Sequence, residues 1–208
     1  MQLLRIRTTM AGGSAPAPAG TISFDSSSVS KTYGDDAFIN VLTNTGDGSV
    51  TFSSSDTSVA TVNSGTGQVT IVKAGNAIIT ATVTDGETSH YEVNTASYTL
   101  SVAKASRTVT FVDPIMLVGI GDSVTNAATI SAGASDGTLT YSSSNTSYAT
   151  VNHSGVVTGV AQGSTTITAT ISGGTNYLDA TGSYSITAAS LQPVAEDFAY
   201  TGSVQSKT

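Results

Sequence analysis

At 208 residues, with 38% apolar and only 10% charged residues, the chain has room for two ordinary domains and a largely neutral, hydroxylated surface. Seven Lys+Arg against fourteen Asp+Glu give a net charge of −7 without any basic cluster, which argues against a nucleic-acid partner. The lack of cysteine excludes disulfides, thiolate metal sites and cysteine nucleophiles.

The chain opens on an arm, residues 1–20. From Gln2 to Thr9, Leu3, Arg5 and Arg7 alternate with Leu4, Ile6 and Thr8, a pattern that suits an isolated strand. Alone, such a strand leaves its backbone groups without partners. It gains them by adding to the sheet edge of another protein, which makes Leu3, Leu4, Arg5, Ile6 and Arg7 candidates for attachment. A frayed N-terminus is the competing expectation. Arg5 and Arg7 are not followed by the apolar stretch of about 7–15 residues that a secretory signal needs. The protein is then exported by another route, or not at all, or a signal has been removed. Ala11–Gly20 (AGGSAPAPAG) reads as a spacer, flexible at its glycines and stiffened at Pro16 and Pro18.

Two repeats follow. Residues 48–83 and 137–171 agree at roughly 20 of 35 aligned positions once one residue is dropped near Asn63. Extended outwards, they predict domains over 21–102 and 108–188, each the size of a small sandwich. In Ile79-Thr80-Ala81-Thr82-Val83 and Ile167-Thr168-Ala169-Thr170-Ile171, apolar side chains alternate with threonines, so one face enters a core and the other shows hydroxyls to water. Glycine-bearing breaks recur every 8–12 residues, as at Asp47-Gly48, Lys73-Ala74-Gly75, Asp136-Gly137 and Ser154-Gly155. The predicted class is all-β, twice. Ala103–Arg107 is a short join, and residues 189–208 form a tail in which Phe198–Gln205 resembles the opening of a further β domain, with a short tail strand as the alternative. The longest apolar run, Ile115–Ile120, is far short of the roughly 18 residues of a membrane-spanning helix, so no membrane insertion is expected.

Catalytic and metal chemistry finds little to stand on. His90 and His153 occupy different places in their repeats and read as surface turn residues. The serine runs at 26–28, 53–55 and 142–144 lie in no Gly-x-Ser-x-Gly elbow, and hydroxyl-capped strand ends explain them. Asp35, Asp36, Asp47, Asp56 and Asp85 fall in loops or turns, where the side chain caps local N–H groups, and no run has the alternation of a calcium loop. No cofactor is expected. Tyr98 and Tyr184 match across the repeats and read as core. Tyr33, Tyr91, Tyr148 and Tyr177 lie near loops, where packing outweighs a sugar-stacking role. The sequons at Asn145 and Asn152 follow from a composition rich in Ser and Thr.

Residues 50–62 (VTFSSSDTSVATV) and 140–151 (TYSSSNTSYATV), followed by Gly155-Val156-Val157-Thr158-Gly159-Val160 and 163–171, resemble the group 2 bacterial Ig-like domain. In the first copy Ile71 stands where that pattern has glycine. Phe52 and Tyr141 stand where the family often has tryptophan. The resemblance implies two tandem Ig-like sandwiches used as rigid spacers or adhesive modules, not an enzyme, and it transfers no binding residues. Together with Met1, the arm and the spacer, it leads to the expectation of a phage virion protein: a capsid decoration, head fibre or tail-associated component. Its N-terminal arm docks on other virion proteins, in many copies or as a homo-oligomer. The alternative is a fragment of a bacterial cell-surface adhesin that binds a host or mucosal protein or glycan.

Overall fold

The computed structural model describes residues 21–46, 48–84 and 94–190, and all seventeen elements among them are β-strands. The chain divides into two compact units. Of the described residues, one takes in those up to Ser106 together with Thr175–Leu178, the other Arg107–Gly174 and those from Asp179 on.

In the first unit, β2 (Ser28–Thr32), β8 (Asn94–Ala103), β7 (Gly75–Thr84) and β4 (Ser49–Ser54) form one sheet in that spatial order, with β2 parallel to β8 and the other pairs antiparallel. Facing it are the pairs β1 (Ile22–Phe24) with β3 (Leu42–Asn44) and β5 (Ala60–Val62) with β6 (Val69–Ile71). The period-two pattern decides the facing. Ala77, Ile79, Ala81 and Val83 of β7 are buried, as are Tyr98, Leu100 and Val102 of β8. With Ala60 and Val69 from across the sandwich, most of them close one core, against which Phe24 and Phe38 pack.

The second unit repeats the plan with β10 (Ile115–Gly119), β17 (Ala180–Ala189), β16 (Gly163–Ser172) and β13 (Thr138–Ser143) in one sheet, β10 again parallel to its neighbour. Here β11 (Ser123–Thr125), β15 (Val156–Gly159) and β14 (Ala149–Val151) make a three-stranded partner, and β9 (Val109–Thr110) pairs with β12 (Thr129–Ile130). The first unit has only the single bridge Phe38↔Val69 where the second has β11 on β15. Ile167, Ile171, Ile186 and Val157 are fully buried, and Ile167 lies opposite Tyr184. The all-β expectation holds, as two tandem sandwiches.

One aromatic pair is duplicated. Phe24 meets Tyr98 edge-on at 4.7 Å, and Phe111 meets Tyr184 at 4.7 Å, so both tyrosines are core residues as expected. Their hydroxyls are buried without hydrogen-bond partners. Burial raises the Tyr98 phenol to about 12 and raises that of Tyr184 as well. A group that stays neutral longer when folded than when unfolded stabilises fully below the unfolded pKa near 10 and loses that contribution as pH climbs towards the folded value. Stability, and with it the melting temperature, should therefore fall as pH rises from 10 to 12, by at most about 1.4 kcal/mol per pH unit from Tyr98, with Tyr184 acting in the same direction. Tyr98→Phe should flatten that fall, because phenylalanine keeps the ring and removes the titrating group. A melting profile over this range that is identical for both proteins would contradict it.

Candidate binding face

Each four-stranded sheet turns one face out, and residue identity on that face follows from the alternation that built the core. In the first unit, cross-strand register sets Ser53, Thr80 and Ser97 in one row and Thr51, Thr82 and Thr95 in the next. Ser28, Thr99 and Ile78 form a third, and Ser30, Ser101 and Asn76 a fourth. The face carries hydroxyls, one amide and one apolar side chain, Ile78, which is 49% exposed. No charge lies in these rows.

A shallow groove of about 580 Å3 sits at one end of this face, lined by Ser55, Asn76, Ala77, Ile78, Thr99 and Ser101. Ser55 fixes its wall. Its N–H donates to Ile78 O at 2.9 Å, and its Oγ accepts from Ile78 N at 2.8 Å, so the end of the serine run is clamped to β7. The second unit repeats the clamp, with Ser144 N donating to Thr166 O at 2.9 Å and Ser144 Oγ accepting from Thr166 N at 3.0 Å. There Thr166 replaces Ile78, and Ser164 and Thr187, hydrogen-bonded at 2.8 Å, replace Asn76 and Ser101. Only the first unit combines an apolar side chain with an amide in this groove.

The residues screened for chemistry are accounted for by turns. Asp56 Oδ1 accepts from Ser58 N at 2.9 Å and from Ser58 Oγ at 2.6 Å, and these bonds hold its carboxyl below the ordinary carboxylate range. Asn145 takes the equivalent place and accepts from Ser147 N at 3.0 Å. Asn152 Oδ1 accepts from Ser154 N and Val156 N, which makes both sequon asparagines turn caps. Asp35 accepts from Thr32 N at 2.9 Å. His153 is exposed in the turn between β14 and β15. Among the described residues no three His, Asp or Glu side chains converge on a metal position. Of the loop tyrosines, Tyr33 packs on the first core and meets Tyr177 edge-on at 5.5 Å within the first unit, while Tyr148 is half-buried. Tyr91, His90, Asp47 and Asp85 lie outside the described residues, as do Leu3, Leu4, Arg5, Ile6, Arg7 and the tail strand at Phe198–Gln205.

Arg107 was hidden from sequence reasoning. Placed in the join, it is buried in the second unit, where Nη1 donates to Gly133 O at 2.9 Å and Asp136 O at 2.6 Å. Its only sequence signal is that it stands alone: the repeat that follows it, residues 108–188, holds no Lys or Arg.

One family model, the bacterial Ig-like domain (group 2), matches residues 39–93 and 101–181, a span that takes in both serine-run clamps and the Ala-Thr-Val strand of each repeat. The chain belongs to this family. Group 2 Ig-like domains are structural and adhesive modules. No curated protein matches the chain in sequence. Among solved structures, it is similar to surface layer protein SbsC, domains 1–6, at 22% identity and a TM-score of 0.41, covering 86% of this chain and 28% of that one. It is also similar to SbsC domains 4 and 5, at 21% identity and a TM-score of 0.38, covering 82% and 98%. Drosophila N-cadherin EC1–4 follows at 11% identity and a TM-score of 0.36, covering 82% and 50%. The chain thus spans under a third of SbsC domains 1–6.

These findings correct the expectation of a phage virion component and of a virion location. The solved structures that recur are those of a surface layer protein, not of virion components. The reason for the miss is physical. A tandem of sparsely charged, hydroxyl-rich sandwiches is equally compatible with several settings, and nothing in the repeats themselves distinguishes a particle from a cell envelope.

Proposed function

We propose that this chain is a non-catalytic display and adhesion module of a bacterial cell-surface protein, with the outer face of the first Ig-like domain as its contact surface. The observation that carries this reading is the groove at Asn76, Ile78, Thr99 and Ser101. It offers hydroxyl and amide hydrogen bonds around one exposed apolar side chain and no charge, a set that suits a neutral, polyhydroxylated ligand such as a surface glycan. The rest of the molecule supports display: packed cores and duplicated domains hold that face out without contributing chemistry of their own.

A glycan array probed with the full chain tests this. Binding to neutral glycans should fall at least about tenfold in Ile78→Lys, which puts a hydrated charge into the groove. Thr166→Lys, at the matching place in the second domain, should leave it unchanged. Equal losses, or no neutral glycan bound by the parent chain, would refute the groove as the contact.

A further inference from the structure

The two domains treat the same sheet edge in opposite ways. In the first, edge strand β2 points Ser28, Ser30 and Thr32 outwards and carries Lys31 on its other face, with the ammonium 4.8 Å from the Phe38 ring centre. An inward-pointing charge and a polar outer face are how natural sheets block an edge against pairing. The register with β8 and β17 equates these positions with Ile115, Met116, Leu117, Val118 and Gly119 of β10. That strand has no charge and no proline. Its outer face shows Ile115, 75% exposed, and Leu117, 57% exposed.

The backbone of β10 is open too. Ser185 N donates to Pro114 O and Ile120 N donates to Ala189 O, so the even-numbered residues bond to β17. By the alternation of a parallel ladder, Ile115 and Leu117 turn their N–H and C=O groups to the free side. An exposed, apolar, unblocked edge strand is a template for one more strand.

We propose that the occupant is the N-terminal strand of a second copy of this chain, so that copies join head to tail. Three observations select that segment. Leu4 and Ile6 alternate at strand period and supply the side chains to flank Ile115 and Leu117. Arg5 and Arg7 are two of only seven basic residues, whereas β10 lies between Asp113 and Asp122 in a domain whose described residues hold four aspartates and one arginine. Opposite charges therefore meet at the two sides of the joint. The ten residues of Ala11–Gly20 extend to at most about 35 Å, enough for the strand to leave its own domain. Arm and edge are different surfaces, which makes the contact heterologous and the assembly open-ended. This inference stands independently of the glycan groove.

Sedimentation of the full chain should show mass rising with concentration. Deleting residues 1–10 should abolish that rise, and so should Leu117→Lys, which places on β10 the kind of charge that guards β2. Leu117 is exposed, and an unchanged circular dichroism spectrum and melting temperature confirm that the variant folds; should it not, Ile115→Ser with Leu117→Ser installs the first domain's own outer residues. The decisive sample is the equimolar mixture. The deleted chain keeps an open edge and the Leu117→Lys chain keeps an arm, so two species that are monomers alone should form a 1:1 complex of twice the monomer mass. A parent chain that is monomeric at every concentration would overturn the proposal. A deleted chain that still self-associates would point to β10 pairing with β10, and a mixture without the complex would equally rule out the arm.

Discussion

Replacing Ile167 by alanine should cost about 2–5 kcal/mol of stability, whereas Thr168→Ala one residue away should cost less than ~0.5 kcal/mol. Ile167 has no exposed surface and sits opposite Tyr184 at the centre of the second core, together with Val157 and Ile186. Truncation there removes three buried carbons and leaves a cavity that two hydrogen-bonded sheets cannot collapse to fill. Thr168 points to the other side of β16, in the row with Ser142 and Ser183, and is only half-buried. Urea unfolding of the two variants measures the difference. Comparable losses at both positions would show that the strand faces the other way, since a one-residue slip exchanges the faces entirely.

Gly155→Ala should cost about 2–4 kcal/mol, as much as many core truncations, although it adds only one methyl group. Gly155 lies in the turn between β14 and β15 with φ +80°, a conformation that L side chains rarely adopt. A Cβ there would also stand 2.8 Å from the Tyr141 ring, so the aromatic side chain would have to leave its place against the core. Gly67, with φ +72°, closes on Phe52 in the same way at 2.9 Å, and Gly67→Ala should behave alike. The matched pair explains why each repeat joins a glycine turn to an aromatic on the neighbouring sheet. Substitution at Gly173 separates the two causes: φ is +75° and nothing lies within 4 Å of an added Cβ, so only the conformational part, about 1–2 kcal/mol, should remain. Equal losses at Gly155 and Gly173 would contradict the ring contact.

Much of this was legible before the fold. Alternation in residues 79–83 and 167–171 placed the core faces correctly, because a strand's period of two leaves no second solution once one face is buried. The match of Tyr98 with Tyr184 across the repeats correctly identified both as core. The serine runs at 53–55 and 142–144 lie at strand ends, as their composition suggests, whereas the clamps that Ser55 and Ser144 make to the neighbouring strand follow only from the structure.

What escaped reading depends on neighbours distant in sequence. Arg107 looks like a solvated linker charge until Gly133 and Asp136, 26 and 29 residues away, bring their carbonyls to it. Thr165 fills the place that Ala77 takes in the first repeat. It is buried, and its Oγ1 accepts from Asn145 N at 2.8 Å within a cluster that includes Ser143 and Ser144. In sequence it is one threonine among many. β11 is three residues long and exists through its pairing with β15, so local pattern carries little of it. The apolar run at 115–120 was visible, but that it forms a sheet edge follows only from the strand order. Setting was the least legible of all, since a uniformly hydroxylated surface records no destination.

The central claim is that these Ig-like domains are displayed at a bacterial cell surface. It is tested most directly by treating intact cells of the source organism with a protease that cannot cross membranes, then probing for an epitope within residues 107–174. Display predicts that the epitope disappears from intact cells while a cytoplasmic marker survives. An epitope that stays protected until the cells are lysed would contradict the account.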